Sequence, residues 1–195
     1  MAQEAVDKVR RAAPTDAGAI ARLYVDSWRE TYAGILPTGM LVNMSQPRLA
    51  RQWHLRLSGA WRSRPPHPVT MVGETASGEL AGFGECGPSR DRDLGYEGEI
   101  YTLYVGPNHL GVGWGRALMH GLFGELTKAG IGAAIIWALG PNPSRHFYAA
   151  SGGRIVAERS SVYWGRRLME IGYGWPDLAA WLAQGNQTLS SDKEA

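Results

Sequence analysis

The chain has 195 residues, a formal net charge of +2 and one cysteine, Cys86. That length suits a single domain with its own core, the lone thiol excludes an internal disulfide framework, and with no basic block the charge does not point to a nucleic-acid partner and does not exclude one. The mixed charges of Glu4, Asp7, Lys8 and Arg10 rule out a signal peptide, no apolar run approaches the roughly 20 residues of a membrane span, and a soluble cytoplasmic protein is expected.

Val9-Arg10-Arg11-Ala12 reads as a short first strand. Pro14-Thr15-Asp16 follows, with Thr15 as the expected N-cap of a helix whose core stripe is Ile20, Leu23, Tyr24 and Trp28. Gly34 and Pro37 interrupt that pattern. A second helical region covers Leu36 to Leu57 and restarts at Ser45-Gln46-Pro47, where proline fits a first turn; Leu49, Trp53 and Leu57 form its apolar stripe. Strands at Val69 to Glu74 and Leu80 to Glu85 flank the hairpin turn Thr75-Ala76-Ser77-Gly78. Pro88 to Gly98, which carries Arg90, Asp91, Arg92 and Asp93, reads as an exposed loop.

The next stretch changes character halfway. Ile100 to Val105 is apolar, aromatic and β-branched, hence a strand, and Gly106-Pro107 stops it. Leu118, Leu122 and Leu126 then mark a helix that ends at Gly130. Between them lie Gly111, Gly113 and Gly115. Glycines at a strand-to-helix turn let the backbone approach a ligand, and the unpaired N–H groups of the first helical turn point at an anion there. The pattern is a phosphate cradle. Arg116 occupies the place of the third glycine of the dinucleotide fingerprint, and no G-x-x-x-x-G-K-[ST] occurs.

Ala133 to Leu139 is a short apolar strand expected to be buried on both faces, closed by Gly140-Pro141. Asn142 to Ala150 reads as a short helix, and Gly152-Gly153 leads into strands at Ile155 to Glu158 and Arg167 to Tyr173, joined by a hairpin through Tyr163-Trp164-Gly165. A short helix is expected over Pro176 to Ala183. One domain over residues 1–183 and a polar, disordered tail over residues 184–195 complete the expected organisation.

Leu110-Gly111-Val112-Gly113-Trp114-Gly115 resembles the acyl-CoA signature [Q/R]-x-x-G-x-[G/A] of the GNAT superfamily of N-acyltransferases, with Leu110 in place of Gln or Arg. Asn142-Pro143-Ser144-Arg145-His146-Phe147-Tyr148, leading to Gly152, resembles that family's fourth-helix pattern N-x-x-[A]-x-x-[F]-Y, with Arg145 in place of a small residue. The element order is similar to the family's from Val9 to Leu178. The resemblance implies an α+β, three-layer fold. Its sheet is mixed and mostly antiparallel, of about seven strands, with helices on both faces and a split between the fourth and fifth strands.

The same resemblance implies acetyl-CoA as cosubstrate and an amine, on a small molecule or a protein, as acceptor. Tyr148 matches the general acid, and Glu99 matches a general base, with Glu97 as a neighbouring alternative. The thioester oxygen is expected at a backbone N–H near Leu103, Tyr104 and Val105. Leu110, Gly111, Val112, Gly113, Trp114, Gly115 and Arg116 are expected at the pyrophosphate, Asn142 and Arg145 near the cofactor, and Trp28 and Tyr32 at the acceptor. His109 could touch phosphate or stand in solvent; His54, His67, His120 and His146 show no metal-ligand spacing. Cys86, Trp137 and Trp175 read as packing residues. Another acyl carrier such as aminoacyl-tRNA, or an idle CoA-binding module, stays open as an alternative, and a homodimer is possible.

Overall fold

The computed structural model describes residues 8–60, 67–91 and 93–191, so that Arg92 of the charged loop lies outside the described residues. Three α-helices and four strands precede the helix that follows the glycine loop, in the order β1 (Lys8–Arg11), α1 (Ala17–Thr31), α2 (Thr38–Val42), α3 (Gln46–Leu57), β2 (Val69–Glu74), β3 (Leu80–Pro88), β4 (Gly98–Val105) and then α4 (Trp114–Lys128). Then come β5 (Ala134–Leu139), α5 (Arg145–Ala150), β6 (Arg154–Tyr163), β7 (Arg166–Trp175) and α6 (Leu178–Ser191). The strands form one seven-stranded sheet in the order β1-β2-β3-β4-β5-β7-β6. Only the β4–β5 pair is parallel among the described strands.

Alternation along the strands sorts side chains between two layers. Cys86, Ile100, Ala134, Ile136 and Ala138 join Leu118, Leu122, Phe123 and Leu126 of α4 in the larger core, to which α5 adds Tyr148 and α6 adds Leu178 and Trp181. On the opposite face Val72 and Phe83 meet Ile20, Leu23 and Trp53 of α1 and α3. Leu118, Leu122 and Phe123 are fully excluded from water. Each such side chain contributes about 1.5–3 kcal/mol of burial, so α4 is firmly seated and the loop leading into it starts from a fixed place.

Several boundaries differ from the sequence reading, each for a local reason. Thr15 is not the cap of α1: Pro14–Asp16 forms a 3-10 turn, and Asp16 precedes α1 without a side-chain capping bond. The Asp16 carboxylate instead accepts from Ala13 N–H at 2.7 Å and from both terminal nitrogens of Arg10, at 2.7 and 3.0 Å. The region from Leu36 divides into α2 and α3, and the Ser45 hydroxyl accepts from Arg48 N–H at the restart. β3 extends to Pro88 because antiparallel pairing with β4 continues to Gly98, which shortens the expected loop, and Ser89 in it is buried.

The last strands are also longer than expected. β6 and β7 pair without interruption from Arg154–Gly174 to Tyr163–Arg166 apart from one bulge, and Trp164 and Gly165 take left-handed conformations at the turn. α5 begins at Arg145 because Asn142, Pro143 and Ser144 form the turn before it. α6 runs to Ser191, beyond the expected Ala183, and residues 192–195 of the tail lie outside the described residues. No described helix is long and apolar enough to cross a membrane.

Candidate active site

β4 and β5 pair only from Gly98–Ala134 to Ile100–Ile136, although β4 continues to Val105 and β5 to Leu139. The cause is visible on the other edge of β4. Cys86 pairs with Ile100 and Glu85 with Thr102, so Tyr101 is an extra residue without a partner. Such a bulge bends its strand. Beyond it the edge of β4 from Tyr101 to Val105 faces an opening in the sheet. Leu103 and Val105 pack on the larger core and Tyr104 packs on the α1 side, so these residues offer the opening their backbone rather than their side chains.

The glycine loop joins the open end of β4 to α4. Gly111 and Gly113 have φ of 78° and 96°, a region costly for other residues. Gly113 is the N-cap of α4, and Ala117 N–H, bonded to Gly113 O at 3.0 Å, is the first amide of the helix to find a partner. The backbone N–H groups from Gly111 to Arg116 make no hydrogen bond among the described residues. Their convergence at a helix N-terminus suits a doubly charged phosphate group.

The side chains of this stretch lie in three different surroundings. The Trp114 indole is buried, in contact with the backbone of Gly73 on β2. The Arg116 guanidinium sits 5.8 Å from the Trp181 ring on α6. Leu110, expected at the cofactor, is 61% exposed. Gly115 leaves room for Phe147 of α5, whose ring would lie 3.0 Å from a Cβ there, and this contact brings α5 against the start of α4.

α5 carries Tyr148 into the core at 5% exposure, in contact with the rings of Phe147 and Tyr173. Its hydroxyl makes no hydrogen bond among the described residues. Burial, with Tyr32 and Tyr173 nearby, raises its pKa, so the phenol keeps its proton. Asn142 is buried and donates to the Tyr32 hydroxyl at 3.1 Å, while Arg145 is half-buried at the first turn of α5.

Glu99 is 1% exposed at the start of β4. Its carboxylate accepts from Arg90 N–H at 3.0 Å and from the Arg90 guanidinium, which covers it and also lies 5.1 Å from the Tyr101 ring. Arg90 thus belongs to the site, although its charged loop reads as mere surface. The same pairing recurs twice on this face of the sheet. Glu85 accepts from Arg56 at 2.6 Å, and Glu170 accepts from Arg159 at 2.6 Å, Ser161 at 2.6 Å and Tyr163 at 2.5 Å. A glutamate inside an apolar strand, as in Leu80–Pro88, is the signal that could have marked these positions. Glu97 is exposed.

Trp28 of α1 and Tyr32, its C-cap, lie with tilted rings whose centres are 4.9 Å apart, and the Trp28 indole N–H donates to the Tyr104 hydroxyl at 2.8 Å. His109 turns from the loop toward Glu79, at 3.8 Å. Cys86 is buried, and its thiol is pushed up to about 12 by burial and by Glu125 and Glu85. No three His, Cys, Asp or Glu side chains gather around a cation position among the described residues. The site therefore combines an anion cradle, an opened strand edge, an unpartnered phenol and a buried carboxylate.

Residues 25–152 match the model of the Acetyltransferase (GNAT) family. The chain is 36% identical over 172 residues to the uncharacterised N-acetyltransferase YuaI of Bacillus subtilis, covering 88% of this chain and 94% of that protein. Among solved structures it is similar to yncA of Salmonella typhimurium, determined with its cofactor acetyl-CoA, at a TM-score of 0.64 and 22% identity over 88% of this chain and 93% of that one. It is also similar to the ribosomal-protein-alanine N-acetyltransferase of Brucella melitensis, at a TM-score of 0.65 and 20% identity over 87% and 99% of the two chains. These structures share its fold.

Proposed function

The chain belongs to the GNAT acetyltransferase family, and on that premise we propose that it moves an acetyl group from acetyl-CoA to a primary amine by direct attack. The observation that carries this reading is the row of unpartnered amides from Gly111 to Arg116 at the N-terminus of α4, together with the sheet opened between β4 and β5. Those amides hold the pyrophosphate. The solved relative with bound acetyl-CoA has the same fold, which supports the choice of donor. Acetyl-CoA supplies the activated acyl group.

The chain's own groups supply the rest. A backbone N–H on the open edge of β4, between Leu103 and Val105, holds the thioester oxygen and stabilises the charge that develops on it. Tyr148 O–H gives its proton to the leaving sulfur. Glu99, hydrogen-bonded to Arg90, takes the proton that the ammonium must lose, directly or through water. Trp28 and Tyr32 contact the acceptor, an amine of a small molecule or of a protein.

Thermal unfolding with acetyl-CoA, CoA and ATP added separately tests the cradle. A ligand at about 100 times its Kd stabilises the native state by roughly 2.7 kcal/mol, which raises Tm by several degrees at this size. The expected outcome is a rise with both CoA species and none with ATP, followed by thiol release in a panel of amines. No rise with either CoA species overturns the donor assignment and turns attention to Leu110 and to other acyl carriers.

A further inference from the structure

The amide of Asn142 is fixed from both ends. Ser144 N–H donates to its Oδ1 at 2.8 Å, which settles the orientation of the group, and its Nδ2 then donates to the Tyr32 hydroxyl oxygen at 3.1 Å. A phenol oxygen that accepts in this way must send its own proton elsewhere. No described residue accepts it. Tyr32 itself is 6% exposed and held against Trp28, so its ring cannot swing away.

Tyr32 follows α1 and Tyr148 lies on α5, and the Asn142–Tyr32 bond ties the end of α1 to the turn before α5. Both hydroxyls lack an acceptor for their protons among the described residues, and the two interact electrostatically without a hydrogen bond between them. The other titratable groups around the pair are Tyr104 of β4, Tyr24 of α1, Tyr163 of β6, and Tyr173 and Glu170 of β7. Tyr104 already accepts from Trp28, and Glu170 is filled by Arg159, Ser161 and Tyr163. Asn142 therefore links the turn before the acid's helix to the proposed acceptor contact.

We propose that Tyr32 is a positioning residue for the general acid: its O–H, aimed by Asn142, stabilises the Tyr148 phenolate that forms when Tyr148 protonates the CoA sulfur. This inference rests on the reading of Tyr148 as the acid. Tyr148 gives its proton to the sulfur as the C–S bond breaks and the C–N bond is made. The phenolate oxygen accepts from Tyr32 O–H, directly or through one water, and is restored by the proton that the attacking nitrogen sheds. No charge is left over.

The test places Tyr32→Phe in the native protein and in Tyr148→Phe. A hydrogen bond to a charged oxygen predicts that Tyr32→Phe lowers kcat about tenfold to a hundredfold in the native background, with KM for acetyl-CoA unchanged. It should then have no further effect in Tyr148→Phe. Asn142→Ala, which keeps both phenols, should give a smaller loss of the same kind. A readout without turnover is the affinity for CoA against pH. The rise that follows ionisation of the bound thiol should move to higher pH in Tyr32→Phe, because Tyr148 becomes the weaker donor.

An equal loss of kcat in both backgrounds overturns the inference, as does a loss confined to KM for the amine. Full turnover in Tyr148→Phe overturns the acid assignment and this inference together, so the two failures are distinguishable.

Discussion

Replacing Tyr148 by Phe removes one oxygen from a ring that is 5% exposed. The ring contacts to Phe147 and Tyr173 do not involve that oxygen, and no hydrogen bond is lost. Leaving a buried polar group unsatisfied costs about 1–3 kcal/mol, so deletion of this hydroxyl is neutral or mildly stabilising rather than harmful. For a domain of this size each kcal/mol moves Tm by about 2–4 °C, and the expected change is therefore zero or a small rise. Turnover responds differently. A positioned general acid contributes roughly a hundredfold to ten-thousandfold, and kcat should fall by that factor while the thermal shift with CoA is kept. Thiol release with the best amine, alongside unfolding curves with and without CoA, reads all three quantities. A fall in kcat of less than about threefold refutes the acid role, since general acids contribute far more. A fall in Tm of many degrees refutes the packing argument instead.

The other predictions concern the cradle, acid stability and the thiol. Gly113→Ala places a side chain at φ 96°, and the left-handed strain of about 1–2 kcal/mol should lower Tm by a few degrees and weaken the CoA-dependent shift; an unchanged melting curve would contradict the cradle geometry. Burial raises the Glu170 pKa, but Arg159, Ser161 and Tyr163 outweigh it and hold the carboxyl below its usual range. Its stabilisation is therefore complete above the unfolded value of about 4.3 and is lost as pH falls toward the lower folded value. Glu170→Gln should flatten that part of the acid-unfolding profile, and an unaltered profile would rule the cluster out as its source. Cys86, with its thiol held at about 12 by burial, should react with a disulfide reagent only on unfolding, and rapid labelling of the native protein would contradict its burial.

Much of the site was legible because its parts are local in sequence. The alternating Gly111, Gly113 and Gly115 between an apolar strand and a leucine-striped helix need no distant partner to be read as a turn that exposes amides. The order of strands and helices similarly carried the fold, and Tyr148 could be placed because its helix follows a short buried strand. Where pairing is decided across the chain, sequence was a poor guide. Thr15 reads as a cap, but Arg10 holds Asp16 in the turn before α1. The charged loop reads as surface, yet Arg90 closes over Glu99 nine residues further on.

By itself, the sequence determined the glycine turn before α4, the alternation that sorts side chains between layers and the family to which the chain belongs. Those are properties of neighbouring residues, encoded in propensity and period. Only the tertiary structure decided that Tyr101 bulges and opens the sheet, that three buried glutamates on one face of the sheet each meet an arginine, and that Asn142 turns its amide to Tyr32 across 110 residues of chain. Such contacts depend on how helices and strands settle against one another. No local pattern specifies them, because a side chain's partner is fixed by packing and not by its neighbours in sequence.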